Sequence, residues 1–112
     1  MNEQIKKLLN KAENLGWNVQ KEDGNVYMFS RYSPVGQDFS VIIDTENNPH
    51  LFVANIYDVY SNFDVSEETY LWLDESGHGK NGALYDMKDL YEDIEKCQEM
   101  ILELHDELSV IW

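Results

Sequence analysis

Residues 26–43 read Val26-Tyr27-Met28-Phe29-Ser30-Arg31-Tyr32-Ser33-Pro34-Val35-Gly36-Gln37-Asp38-Phe39-Ser40-Val41-Ile42-Ile43, and this stretch decides the fold class. Its two ends are β-branched and aromatic, the composition of strands. Ser33-Pro34-Val35-Gly36 breaks the run, because proline cannot donate to a ladder and glycine accepts turn geometry. The expectation is a strand over 26–32, a turn, and a strand from Asp38 to Asp44. On the second strand Phe39 and Val41 would face one side of the sheet, with Ser40 and Ile42 on the other. Upstream, Trp17-Asn18-Val19-Gln20 alternates apolar and polar, and Glu22-Asp23-Gly24-Asn25 reads as a turn in which Gly24 takes positive φ. Three antiparallel strands sharing an apolar face can be stable where an isolated hairpin is marginal.

Away from these strands the hydrophobic period changes from two to between three and four. Ile5, Leu8, Leu9, Ala12 and Leu15 make one helix face over about residues 3–15, with Asn2 to cap it and Gly16 to end it. Asn48-Pro49 looks like a cap followed by proline in the first turn, which favours a helix over His50 to Phe63. Its Leu51, Val53, Ile56, Tyr57, Val59 and Tyr60 also suit a strand, and a fourth strand at 50–56 is the alternative. Ser66-Glu67-Glu68 places a cap residue ahead of first-turn acids, so a short helix to about Asp74 is expected, burying Tyr70, Leu71 and Leu73 or Trp72. Residues 76–82 collect turn formers and read as a loop. The last segment is the most regular: Met87, Leu90, Ile94, Cys97, Ile101, Leu104, Leu108 and Ile111 alternate spacings of three and four. That seam predicts a helix over about 87–108, capped by Asp86 and packed on another helix, on the sheet, or on a second copy. The reading is one α+β domain over residues 1–112: an N-terminal helix, a three-stranded antiparallel sheet, then two or three helices ending in a long acidic one.

Composition narrows the function classes. Acids outnumber bases 22 to 8, for a net charge of −14 and a pI near 4.3. That exceeds the magnitude of about 2–8 usual for a soluble small domain. Such charge repels nucleic acid and anionic lipid, so neither is an expected direct partner. No apolar run approaches the roughly 18 residues of a membrane span, and the first residues lack a signal peptide's apolar core. The single cysteine suits a reducing compartment, so the cytoplasm is the expected location. The charge is unevenly placed: residues 1–36 carry four acids and five bases, net +1, whereas residues 37–112 carry 18 acids and three bases, net −15. Solubility is one account of the acidic part. A surface built for a basic partner is the other.

Motifs for chemistry are missing where they would be needed. His50, His78, His105 and Cys97 include no pair at zinc-site spacing, and Cys97 sits on the seam as a small core residue. Asp44-Thr45-Glu46-Asn47-Asn48 offers oxygens but lacks the glycine and distal glutamate of an EF-hand loop. Around Gly79-Lys80, Asp74 and Asn81 stand where a phosphate loop needs Gly and Ser or Thr. No Gly-x-Ser-x-Gly elbow occurs. No catalytic residue, metal or cofactor is therefore assigned, and no enzyme is expected.

What remains is the acidic helix. Between Asp86 and Glu107 lie nine acids against Lys88 and Lys96. Glu92, Glu95, Glu99, Glu103 and Asp106 follow one another by three or four residues, forming a stripe opposite the seam. At a rise of 1.5 Å per residue their carboxylates recur about every 5–6 Å, comparable to the phosphates of one nucleic-acid strand. Like charges at this spacing destabilise a helix, so the row has a local cost. It could occupy a Lys/Arg-lined groove that normally holds nucleic acid.

Tyr32-Ser33-Pro34-Val35-Gly36-Gln37-Asp38-Phe39-Ser40 resembles a "YSPxGxDFS" signature of small acidic proteins from Firmicutes bacteria, their phages and their conjugative elements. Gly16-Trp17, Asn62-Phe63-Asp64 and Gly79-Lys80-Asn81-Gly82 fit the same pattern, so the resemblance spans most of the chain. Such elements encode anti-CRISPR and antirestriction inhibitors, some of which mimic DNA. The resemblance thus implies anti-defence work and supplies no catalytic residue. Combined with the charge pattern, it leads to an expected non-enzymatic inhibitor of a basic, nucleic-acid-binding protein such as a CRISPR effector nuclease. Asp89, Glu92, Glu95, Glu99, Glu103 and Asp106 would make the contact, supplemented by Asp64, Glu67, Glu68, Asp74 and Glu75. Two alternatives stand beside it: an assembly module dimerising through the seam, and a small-ligand binder using Trp17, Tyr27, Phe29 and Trp72 as a pocket.

Overall fold

The chain enters α1 (Glu3–Asn14) through Asn2, whose side-chain oxygen accepts hydrogen bonds from the Gln4 and Ile5 amides. The computed structural model describes residues 2–72 and 87–111, with side chains for 2–68 and 90–110. α1 closes at Gly16, whose φ of +105° lets the Gly16 and Trp17 amides turn back to the carbonyls of Glu13 and Ala12. Ile5, Leu8, Leu9 and Ala12 are buried, as their spacing requires.

β1 (Asn18–Asp23), β2 (Val26–Tyr32) and β3 (Asp38–Asp44) form an antiparallel sheet in that order. β1 corrects the expected boundaries. It begins after Trp17 and runs three residues past Gln20, so Glu22 and Asp23 belong to the strand and only Gly24-Asn25 turns. The extra length is absorbed by a register shift between Lys21 and Asp23, a bulge that lets Asp23 pair with Val26. Gly24 has φ +55°, the positive value the turn needs. Burial along β3 alternates strictly, with Phe39, Val41 and Ile43 inside and Ser40 and Ile42 outside.

Residues 49–62 resolve to helix rather than strand. α2 (Pro49–Asn62) starts with the Asn48 side chain accepting from the His50 and Leu51 amides, and Pro49 occupies the first turn. The cap and the proline outweigh the β-propensity of the interior. Only Pro49, Phe52 and Ile56 are fully buried; Leu51 and Tyr57 stay exposed. α3 (Val65–Trp72) is capped by Asp64, not Ser66: Asp64 Oδ1 accepts from the Glu67 amide at 3.2 Å and its carbonyl from Glu68 at 2.9 Å. The expected burial of Tyr70, Leu71, Trp72 or Leu73, the 76–82 loop and the Asp86 cap lie outside the described residues or side chains. α4 (Met87–Ile111) continues three residues beyond the expected end.

α1, α2 and α4 pack together over the face of the sheet that carries Tyr27, Phe29, Phe39, Val41 and Ile43. The core joins the α1 face to Tyr27, Phe29, Phe39, Val41 and Ile43 of the sheet, Phe52 and Ile56 of α2, and the α4 seam. Aromatic rings tie the layers, Phe29 on Phe52 at 6.0 Å and Phe39 edge-on to Phe63 at 5.9 Å. Among the described residues, no helix is long and apolar enough to cross a membrane.

Candidate partner-binding surface

α4 divides into two faces. Leu90, Ile94, Cys97, Ile101, Leu104 and Leu108 are each 0% exposed, packed toward α2, α3 and α1. The seam is therefore occupied within the chain, and these residues offer no surface to a second copy. A 3-4 spacing announces an apolar stripe, and among the described residues this stripe packs against the chain's own helices. Trp17, Tyr27 and Phe29 are core residues, while Trp72's side chain lies outside those described.

Opposite the seam, Glu92, Glu95, Glu99, Glu103 and Asp106 are all exposed, as their spacing requires. They are not equivalent. Glu103 lies 3.5 Å from the Arg31 guanidinium, and neighbouring Glu107 lies 3.9 Å from Lys11 Nζ. Arg31 also sits 5.9 Å from the Trp17 ring centre, so β2 aims it between that ring and α4. The bases of the nearly neutral first third thus meet one flank of the acidic helix. The Lys11 pair is largely solvated and contributes little stability, whereas Arg31 Nη1 is buried with no hydrogen-bond partner among the described residues, so Glu103 is its nearest counter-charge. Asp106 approaches His105 Nδ1 at 3.0 Å, and His105 is half-buried against Tyr57 rather than fully solvated.

The supplementary acids are scattered. Asp64 caps α3, which gives it a structural duty, and Glu67 is exposed in the first turn of that helix. Glu68 is half-buried and borders a groove between α2, α3 and β3. Asp89 falls in the first turn of α4 with its side chain outside those described, and Asp74 and Glu75 lie outside the described residues. Among the described residues no cluster of His, Cys, Asp or Glu could hold a metal ion.

Two residues escaped the sequence reading. Gln37, a variable position of the signature, is 0% exposed, and Asp93 is 2% exposed on the flank of the seam. Gln37 Nε2 donates to Asp93 Oδ2 at 2.7 Å. The 33–37 turn delivers Gln37 inward, because Ser33 N donates to Gln37 O and Ser33 Oγ accepts from Gln37 N at 2.9 Å. The signature loop is thus tied to the acidic helix through the core. No sequence signal marked Asp93 beyond its neighbours, because it is one acid among nine; its place 60° from the seam axis, three residues past Leu90, is visible only on a helical wheel.

Beside this tie lies Cys97. Burial, and then the negative charge of Asp93, push its thiol from the usual 9.0 up to about 12. The native thiol is therefore protonated and inert at neutral pH. We expect no reaction with a thiol reagent at pH 8 until the protein is unfolded. In the unfolded chain the thiol ionises first, so the unfolded state binds fewer protons above about pH 9. This contribution to stability is full below that pH and is lost as pH rises toward 12. Thermal melting from pH 8 to 11 should show a shallower decline for Cys97→Ala than for the parent.

No protein family, curated protein or solved structure matches the chain.

Proposed function

We propose that the chain is a non-enzymatic acidic inhibitor of anti-CRISPR type, which binds a basic nucleic-acid-handling defence protein in the bacterial cytoplasm by standing in for nucleic acid. The observation that supports this reading is the outward row of Glu92, Glu95, Glu99, Glu103 and Asp106 on a helix whose opposite face is anchored in the core. From Glu92 to Asp106 the row spans about 21 Å, the axial length of about six nucleotides of one duplex strand. The anchored seam keeps the row rigid, so less ordering entropy is lost on binding. The row's self-repulsion is relieved when a Lys/Arg-lined groove closes on it, and contacts of this kind speed association and weaken with salt.

The test is retention of proteins from a Firmicutes lysate on the immobilised chain at low and high salt, followed by displacement with a duplex DNA. The reading expects a nucleic-acid-binding protein that salt releases and DNA displaces. Replacing Glu95, Glu99 and Glu103 together by glutamine should abolish retention while the far-UV circular dichroism stays that of the parent, since among the described residues the one pair lost is that of Glu103 with Arg31. Equal retention by that triple variant would sink the acidic-helix reading.

A further inference from the structure

The two edges of the sheet are built differently. β1 carries Lys21 and a bulge at Glu22, devices that discourage pairing with another strand. β3 has neither. Its register with β2 runs unbroken from Tyr32↔Asp38 to Val26↔Asp44, it contains no Lys or Pro, and among the described residues it has one strand neighbour. Asn55 Nδ2 donates to the Asp44 carbonyl at 2.9 Å, so α2 closes the far end of this edge; Asp38 and Phe39 at the near end have partners of their own, and the stretch Ser40–Ile42 lies between. That stretch borders a groove of about 590 Å³ walled by α2 and α3. Its walls combine apolar Val59 and Phe63 with the carboxylates of Asp58 and Glu68, and none of the described residues lining it is basic. Ile42 projects beside it at 53% exposure.

We propose that the β3 edge and this groove take an extended, basic segment of a partner protein, added as a fourth strand. Backbone groups of the edge would supply the pairing, and alternate side chains of the segment would reach the groove. Charge selects the occupant. A second copy is disfavoured, because antiparallel pairing of β3 with itself about Val41 would set Asp38 against Asp44 at both ends, between chains of net charge −14. A strand bearing Lys or Arg at alternate positions meets Asp58 and Glu68 instead. This surface belongs to β3, α2 and α3, and it stands or falls apart from the α4 row.

The experiment is an amide NMR titration of the full chain with an N-acetylated (Lys-Val)3 amide, using the (Glu-Val)3 analogue as control. We expect the lysine peptide to shift the Ser40, Val41 and Ile42 amides and to slow hydrogen exchange at Ser40 and Ile42, whose N–H groups point away from β2, with no effect from the glutamate peptide. The same shifts should persist in the Glu95→Gln/Glu99→Gln/Glu103→Gln variant, which removes attraction to α4. Asp58→Lys with Glu68→Lys, both away from the core, should weaken binding about tenfold or more. The proposal is overturned if the lysine peptide leaves β3 unshifted at millimolar concentration. It is equally overturned if both peptides act alike, if the effect vanishes with the α4 charges, or if the double lysine variant binds as tightly.

Discussion

Ile101→Asp is expected to leave the purified chain unfolded at 25 °C. Ile101 is 0% exposed in the middle of the α4 seam, where the helix meets the rest of the core. The substitution removes a fully buried side chain, a loss of about 2–5 kcal/mol. It also places a carboxylate where none of the described residues buries a cation beside it, adding about 3–5 kcal/mol of uncompensated charge. Together these match most of the 5–15 kcal/mol by which a domain of this kind is stable. Far-UV circular dichroism and light scattering separate the outcomes. Loss of helix signal agrees with a seam buried within one chain. A folded monomer replacing a parental dimer would show instead that the seam holds two copies together.

The second large effect concerns Gln37. Gln37→Leu fits an apolar side chain into the buried site but strips Asp93 Oδ2 of its 2.7 Å donor. Asp93 Oδ1 already faces no donor among the described residues, so its carboxylate would be left buried with no partner. We expect a loss of about 2–4 kcal/mol by urea denaturation. Pairing the change with Asp93→Leu should recover most of it, because replacing both members by apolar groups removes the unpaired charge. If the single and double variants are equally destabilised, the turn is held by Ser33 and its backbone bonds rather than by the tie to α4. Because the tie fixes the 33–37 turn to the acidic helix, Gln37→Leu should also broaden the amide resonances of Ser33, Val35, Gly36 and residue 37.

Much of this architecture was legible beforehand, for reasons that are local. Asn2 and Asn48 cap their helices because a short side-chain oxygen can reach free amides two or three residues on. Phe39, Val41 and Ile43 face inward because a strand has a period of two. The outward row of α4 acids follows from the same kind of counting. Where the reading slipped, two local choices were close in energy. Asp64 and Ser66 both suit a cap, and the chain's exit from α2 at Phe63 selected Asp64. Glu22 and Asp23 suit a turn, and a bulge kept them in the strand.

By itself, then, the order of residues determined most of the elements, the caps of α1 and α2, the buried faces of α1 and β3, and the separation of seam from acidic row. Periodicity and capping act over a few residues, and their energies are written in adjacent side chains. Only the tertiary structure decided what the seam packs against, that Arg31 and Lys11 turn toward Glu103 and Glu107, that β3 keeps an unbulged edge beside an acidic groove, and that Gln37 and Asp93 meet across 56 residues of chain. Such pairings depend on which surfaces arrive together after collapse. A stripe of apolar residues or one more aspartate carries no mark of its partner until the rest of the core is in place.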